Sequence, residues 1–410
     1  MIEIKPKFYN SFLCPECKSE HPEVHSILVE GVHAMEDCKC RGCGLEFYHL
    51  LPVGLTVGFS LSYGKNNRKL YDEDSSWVSV GLPDYLLTVR NKKIHFDKIV
   101  NKVCRKVIIL NALDFHYGHC FLKLVNVQYH LDRHSDFGII VVAPKVFHWL
   151  IPEGCAEIWL ADLDFSDLCY RQVAVHEFVS NELKRFDQVH LSKAYSHPDF
   201  TKIDISRFTR VAPFDLARFS TAPINITFVL REDRCWNESR GWFLLYRFLR
   251  KIKLKNTGNS LLAVRQNRLV KKTIRYIRKE LPEVTINIVG LGRTGNFKGS
   301  AVDYRESEMC PEVEISWCNI YARSQVVIGV HGSNMLLPTA QSAACVEILP
   351  EDRLGNIAQD LAVRYSDRRQ LFLYRLLPQY SRPGFVAKHV ISMIKNYEIF
   401  NSSMCKNVYC

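Results

Sequence analysis

Val326-Val-Ile-Gly-Val-His-Gly-Ser-Asn-Met-Leu-Leu337 passes from one kind of structure to another within twelve residues. Its first five residues are apolar or glycine, with no polar side chain to mark a solvent face, which suits a strand buried on both sides. Gly332 then lets the backbone turn sharply, and Met335-Leu-Leu337 opens an apolar helix. A buried strand running through a glycine turn into a helix is the repeating unit of a parallel α/β sheet. Amides left free at such a turn face whatever lies above the sheet and suit an anion. The plain alternative is an ordinary strand-to-helix turn with Ser333 or Asn334 as N-cap.

The same grammar extends in both directions. Residues 224–230 (INITFVL), 285–291 (TINIVGL) and 345–349 (CVEIL) read as further strands, and 264–281 as a helix with Val270, Ile274, Ile277 and Leu281 on one face. Upstream, 107–111 (VIILN), 137–143 (FGIIVVA) and 156–161 (AEIWLA) form an earlier series, separated from the later one by a polar stretch punctuated by Pro198, Pro213 and Pro223. The expected fold is therefore α/β, with two Rossmann-like doubly wound domains over 56–215 and 216–410. Ligands are expected at the carboxyl ends of the strands, in a cleft between the domains.

Residues 1–55 are different. Cys14-Pro-Glu-Cys17 and Cys40-Arg-Gly-Cys43-Gly44 stand 22 residues apart. Each CxxC pair sits on a tight turn that aims two sulfurs at one point, so the two pairs predict a small zinc-ribbon-like module with Cys14, Cys17, Cys40 and Cys43 as ligands. Four thiolates leave no place for water, which makes the zinc structural. Cys38 is the alternative to Cys40. Fifteen cysteines without a signal sequence at MIEIKPKFYN suit a reducing compartment, so Cys104, Cys155, Cys169 and Cys345 are expected as buried thiols in the cytosol.

The formal net charge of +11 is local: residues 231–280 hold 15 Lys or Arg against 4 Asp or Glu. A zinc ribbon beside a basic region could belong to a nucleic-acid-binding protein. Against that, Arg268, Lys271, Lys272, Arg275 and Lys279 lie opposite the apolar stripe of 264–281, as on a solvated helix face, and Trp242, Phe243, Tyr246 and Phe248 read as core rather than as stacking platforms. A further alternative is that this face meets an anionic membrane or a lipid-diphosphate acceptor.

Polar residues gather where strands end. Strand 224–230 runs into Arg231-Glu-Asp-Arg234 and then Asn237-Glu238, and Glu347 lies inside an apolar strand that ends at Pro350. Guanidinium groups there suit bidentate phosphate contact, and a buried carboxylate needs a partner such as a ribose hydroxyl. After strand 107–111 come Asp114 and Tyr117-Gly118-His119-Cys120-Phe-Leu122. These features in this order, over about residues 110–365, resemble the family-61 glycosyltransferases. Where that family has His-Gly-Ala-Gly-Leu, this chain has His331-Gly332-Ser333-Asn334-Met335.

The resemblance implies an inverting, metal-independent glycosyltransferase of GT-B type, moving a sugar from a nucleotide sugar to a hydroxyl of a glycan or a lipid-linked glycan. Arg231, Arg234, His331, Gly332, Ser333, Asn334 and Glu347 are its expected donor-binding residues, and Asp114 and His119 the candidates for the base that such chemistry needs. Zinc is the expected cofactor, with no catalytic metal. Asp162-Leu-Asp164 could hold one in another setting, but no further acidic partner is evident near it. Nucleic acid is the disfavoured partner. Peripheral membrane contact would come through the basic face of an otherwise cytoplasmic protein.

Overall fold

The computed structural model describes residues 1–6, 12–20, 22–72, 77–251 and 255–405. They form two compact units, Met1–Pro198 and Asp199–Cys410.

In the second unit a six-stranded parallel sheet runs in the spatial order Val302–Asp303, Thr285–Leu291, Asn225–Arg231, Val326–Val330, Ala344–Leu349, Tyr374–Pro378. Numbered along the chain this is 3-2-1-4-5-6, the doubly wound Rossmann order. The sequence explains why. Ile226, Phe228, Val229, Val327 and Ile328 are buried on both faces of the sheet, so helices must cover both, and a parallel sheet with helical crossovers does this. Asn225–Arg231 pairs with Thr285–Leu291 on one side and with Val326–Val330 on the other, and between these two neighbours the chain reverses its winding. Gly290 lies at φ +117° with no room for a Cβ, which would come within 1.9 Å of the Leu230 carbonyl oxygen.

The first unit holds two large sheets, beside the two-stranded pair Val89–Arg90 with Arg171–Gln172. Gln188–Leu191, Lys106–Asn111, Gly138–Pro144 and Glu157–Ala161 are parallel neighbours, edged by the antiparallel strands Ile2–Lys5 and Phe96–Val100. Its winding reverses between Lys106–Asn111 and Gln188–Leu191. The other sheet is antiparallel, with five strands from Glu23–Val29 to Leu70–Asp72. Val29, Met35, Leu50, Leu61 and Tyr63 from it pack in one core with Val107, Ile109, Ile140, Val142 and Trp159 of the parallel sheet. The antiparallel sheet thus shares its main core with the parallel one.

A buried ion pair fastens the junction. Arg171 Nε and the Glu30 carboxylate are in contact, and Arg171 Nη1 also donates to Leu86 O at 3.0 Å. Beside them Asn111 Nδ2 donates to Gly31 O at 2.7 Å, so the Glu30–His33 turn is tied to the end of a central parallel strand. Removing one partner of such a pair leaves the other charged and dry, at a cost of about 3–5 kcal/mol. Glu30→Ala should therefore loosen both sheets: amide hydrogen exchange should accelerate in Lys106–Asn111 and Gly138–Pro144 as well as in Ala34–Lys39. Unchanged protection of the parallel strands would show that the sheets unfold independently.

Candidate functional site

The reversal of winding in the second unit brings the carboxyl ends of Asn225–Arg231 and Val326–Val330 side by side, and polar groups converge there. Arg234 Nη1 donates to His331 O at 3.2 Å. Gly332, at φ +149°, is the residue that allows this, because a Cβ would lie 1.9 Å from that nitrogen. Arg234 is partly dehydrated and stands in the fields of Arg353 and Arg231; burial first, then these two cations, pull its pKa below the usual guanidinium value. Three guanidinium groups thus share one neighbourhood. Arg231 is partly compensated, donating through Nε to Asp233 Oδ1 at 2.8 Å and through Nη2 to Asp233 Oδ2 at 2.5 Å.

A cavity of about 380 Å³ opens here, lined among others by Arg234, Asn237, Leu262, Asp352, Arg353 and Gln379. Asn237 Nδ2 and Asn334 Oδ1 are buried and have no hydrogen-bond partner among the described residues. Buried amides are almost always satisfied in folded proteins, and Asn237, which lines the cavity, offers its unpaired Nδ2 to whatever occupies it. The loop is braced from behind: Gln266 accepts from Trp236 N at 2.7 Å and donates to Arg231 O at 3.2 Å, and Trp236 Nε1 donates to Ser381 O at 3.0 Å.

His331 and Glu347 lie beneath the loop. His331 Nδ1 is 2.6 Å from Glu347 Oε2, and both side chains are fully buried. Burial pushes the Glu347 carboxyl up; burial also opposes charge on His331, but the bond to Glu347 outweighs it and raises the imidazole. Glu347 thus finds its partner inside the protein. The expected helix after the turn is short: a single turn at Ser333–Met335 and then Leu336–Gln341, six residues, before the chain enters the next strand. The cationic character of the site rests on guanidinium groups more than on a helix dipole.

The first unit has a polar centre at its own reversal of winding. Asp114, fully buried, follows the end of Lys106–Asn111. His119 Nδ1 lies 3.1 Å from Asp114 Oδ1, and Lys123 Nζ 2.8 Å from Asp114 Oδ2. Lys123 and His119 are on the helix Tyr117–Leu124, one turn apart, so both reach the same carboxylate. Burial alone would raise the Asp114 carboxyl; the Lys123 charge and the His119 bond overcome it and hold the group well below the usual carboxylate range. Asp114, His116 and His119 also offer three donor atoms within 4.8 Å of one another, a spacing a cation would accept. The Lys123 ammonium already answers the Asp114 charge, and the carboxylate is best described as orienting His119.

The four cysteines gather as the spacing predicts. The Sγ atoms of Cys14, Cys17, Cys40 and Cys43 all lie within 4.8 Å, with Cys14 and Cys43 3.7 Å apart and Cys17 and Cys40 3.5 Å apart. A tetrahedral zinc at about 2.3 Å from each sulfur separates sulfurs by about 3.8 Å, so the donor set fits such an ion. The two turns repeat each other. Lys18 N donates to Cys14 O and Gly44 N to Cys40 O, each at 3.0 Å, with Lys18 and Gly44 both left-handed. Cys38 is not one of the four donors; it packs in a small apolar core with Cys14, Cys40 and Phe47. Cys169, expected as a buried thiol, is exposed, and Cys104 is half-buried.

Two residues of these sites escape a reading of the sequence. Arg353 lies in the Glu351–Asn356 turn just after the Glu347 strand, and its only signal is a cation soon after a strand end. Lys123 was legible in principle, as a lone charge among Phe121, Leu122, Leu124 and Val125.

No protein-family model matches the chain, and no curated protein sequence does. Among solved structures it is similar to E. coli heptosyltransferase WaaC with ADP, at 10% identity and a TM-score of 0.36, over 72% of this chain and 99% of that one. It is also similar to TarM, at 8% identity and a TM-score of 0.25, over 97% of this chain and 73% of that one. A UDP-forming alpha,alpha-trehalose-phosphate synthase from Burkholderia xenovorans matches at 9% identity and 0.23, over 70% and 65%.

Lys123 supplies a test of the Asp114 environment. A carboxyl with a depressed pKa gives stability that is present above the ordinary carboxylate range and is lost only as pH falls through the depressed value. In Lys123→Met burial dominates, the Asp114 pKa rises, and the acid-unfolding midpoint followed by circular dichroism should move to higher pH. An unchanged midpoint would mean that Asp114 does not depend on Lys123.

Proposed function

We propose that the chain is an inverting, metal-independent glycosyltransferase of GT-B type, taking a sugar from a nucleoside diphosphate sugar and placing it on a hydroxyl of a glycan or lipid-linked glycan. The observation that carries this reading is the gathering of three guanidinium groups, Arg231, Arg234 and Arg353, at the switch point of the second unit. Arg234 and Arg353, with Arg231 beside them, face a cavity that also presents the unpaired Asn237 amide and the carboxylates of Glu232, Asp233 and Asp352. A diphosphate brings the compensating charge, and amides and carboxylates such as Asn237 and Asp352 suit a sugar or ribose hydroxyl. The backbone of Gly332, Ser333 and Asn334 flanks the same position. His331 and Glu347 support the turn from below rather than touching the donor.

In the reaction the first unit supplies the base. With Nδ1 engaged by Asp114, His119 takes the acceptor proton at Nε2 as the hydroxyl oxygen attacks the anomeric carbon. The bond from that carbon to the diphosphate oxygen breaks on the opposite face, which inverts the centre. The electron pair leaves with the diphosphate, where guanidinium groups stabilise it without a divalent ion. The Cys14, Cys17, Cys40 and Cys43 cluster is a structural zinc site in this reading.

Nucleoside diphosphates at about 100 times their dissociation constant should raise the stability of the purified protein by roughly 2.7 kcal/mol. Arg234→Ala and Arg353→Ala should each weaken that binding by about 1.5–3 kcal/mol, the range for a lost charge-assisted bond. His119→Ala should leave it intact while turnover falls. Calorimetric titrations showing full diphosphate affinity in Arg234→Ala, Arg353→Ala and Gly332→Val would remove the donor site from this pocket. For the cysteines, elemental analysis should find one zinc per chain, lost in Cys14→Ser; reduced protein without zinc would dismiss the site.

A further inference from the structure

Between Glu238 and Glu280 there is no Asp or Glu, while thirteen Lys or Arg stand in that interval. It forms the helices Arg240–Lys251 and Lys255–Glu280. The longer helix buries Leu269, Val270, Ile274 and Ile277 in the core of the second unit. Its opposite face carries a continuous stripe at steps of three or four residues: Leu261, Val264, Arg268, Lys272, Arg275 and Lys279, all exposed. Leu244 and Phe248 on the shorter helix are also exposed, by 53% and 58%, with Lys251 exposed one turn on. Phe248 is therefore not the core residue that its neighbours in sequence suggest; the side chains of Phe243 and Tyr246 lie outside the described residues. Among the described residues no carboxylate is within ion-pair distance of Arg268, Lys272, Arg275 or Lys279, and no helix is long and apolar enough to cross a membrane.

We propose that these two helices form a face that docks on an anionic membrane surface, with Leu244, Phe248, Leu261 and Val264 entering the headgroup boundary and the cations lying against acidic lipid. The charge selects a polyanion, and bulky side chains left in water select one with an apolar interior. Aliphatic groups gain nothing from a nucleic acid, whose bases favour flat aromatic platforms. A helix lying in an interface uses this combination, an apolar edge with cations around it and almost no acid. Surface-near cations strengthen such binding cumulatively and in a salt-dependent way. The inference does not require the sugar-transfer reading.

The test is co-sedimentation of the full chain with phosphatidylcholine vesicles, with and without phosphatidylglycerol. The wild-type chain should bind the acidic vesicles and release as salt is raised. Leu244→Ser with Phe248→Ser should lower partitioning by about tenfold or more, through lost apolar burial. Lys272→Gln with Arg275→Gln and Lys279→Gln should do the same through lost charge. All these side chains are exposed, so the melting temperature should stay unchanged and any loss of binding is not unfolding. Equal affinity for both vesicle types, or wild-type binding by both variants, overturns the proposal. So does an outcome in which single-stranded RNA binds and depends on the cations, while vesicles do not.

Discussion

Asp114 sits in a place where a carboxylate cannot remain ionised without help: it is fully buried where the core meets the end of the sheet. The help comes from Lys123, itself almost fully buried, whose ammonium also donates to Leu113 O at 2.9 Å. Room for that lysine depends on Gly54, since a Cβ there would fall 2.7 Å from Lys123 Cε. Gly54 belongs to the turn that follows the Glu46–Leu50 strand, and its N–H donates to Lys193 O, beyond the end of Gln188–Leu191. One buried charge pair therefore holds a strand end, a helix and the antiparallel sheet in register. Breaking it would disturb the position of His119 before it unfolded anything, because His119 is held by the same carboxylate.

The second unit treats charge at the same topological position in the opposite way. Glu347, its most buried carboxylate among the described residues, is answered by His331 inside the protein. Arg234 lies beside Arg231 and Arg353, and Asp233 is turned to Arg231 rather than to it. The cavity is lined by Glu232, Asp233 and Asp352 as well as by Arg234 and Arg353, so both signs of charge meet there. The first unit thus fixes its charges in one buried cluster, and the second gathers them around a cavity. A base needs a fixed orientation and a diphosphate pocket needs guanidinium groups within reach, so the contrast matches the division of labour proposed above.

The strands were legible because burial on both faces leaves a continuous apolar run: 107–111, 285–291 and 326–331 stand within a residue of the observed elements. The CxxC turns were legible because zinc-type spacing is local. Association across long stretches of chain was not. Nothing in Glu23–Val29 or Leu61–Gly64 announces that their apolar residues pack on Val107 and Ile140 rather than on one another. Single polar residues in apolar strands, such as Glu347, could be read as needing a partner, yet which partner they find is a matter of sheet register: Gly329 opposes Glu347, which brings the residue two positions beyond that glycine, His331, to the same carboxyl-end neighbourhood. Arg353 was invisible for the same reason, since a turn residue gains meaning only from what the turn is folded against.

The basic helix Lys255–Glu280 shows why a charge run need not be a binding motif along its whole length. Its inner face is committed: Gln266 braces the Trp236 loop, Asn267 Nδ2 donates to Thr294 O at 2.7 Å, and Thr273 is buried against its own backbone. Arg265 and Lys271 flank this face, the first paired with Glu238 and the second over the Phe297 ring, and so belong to the scaffold of the pocket. What remains for an external partner is the narrower stripe from Leu261 to Lys279. Substitutions on the two sides should therefore separate cleanly. Changes at Gln266 or Arg265 act on the loop that presents Arg234, whereas changes at Lys272 or Arg275 leave that loop untouched and alter only what the outer surface meets.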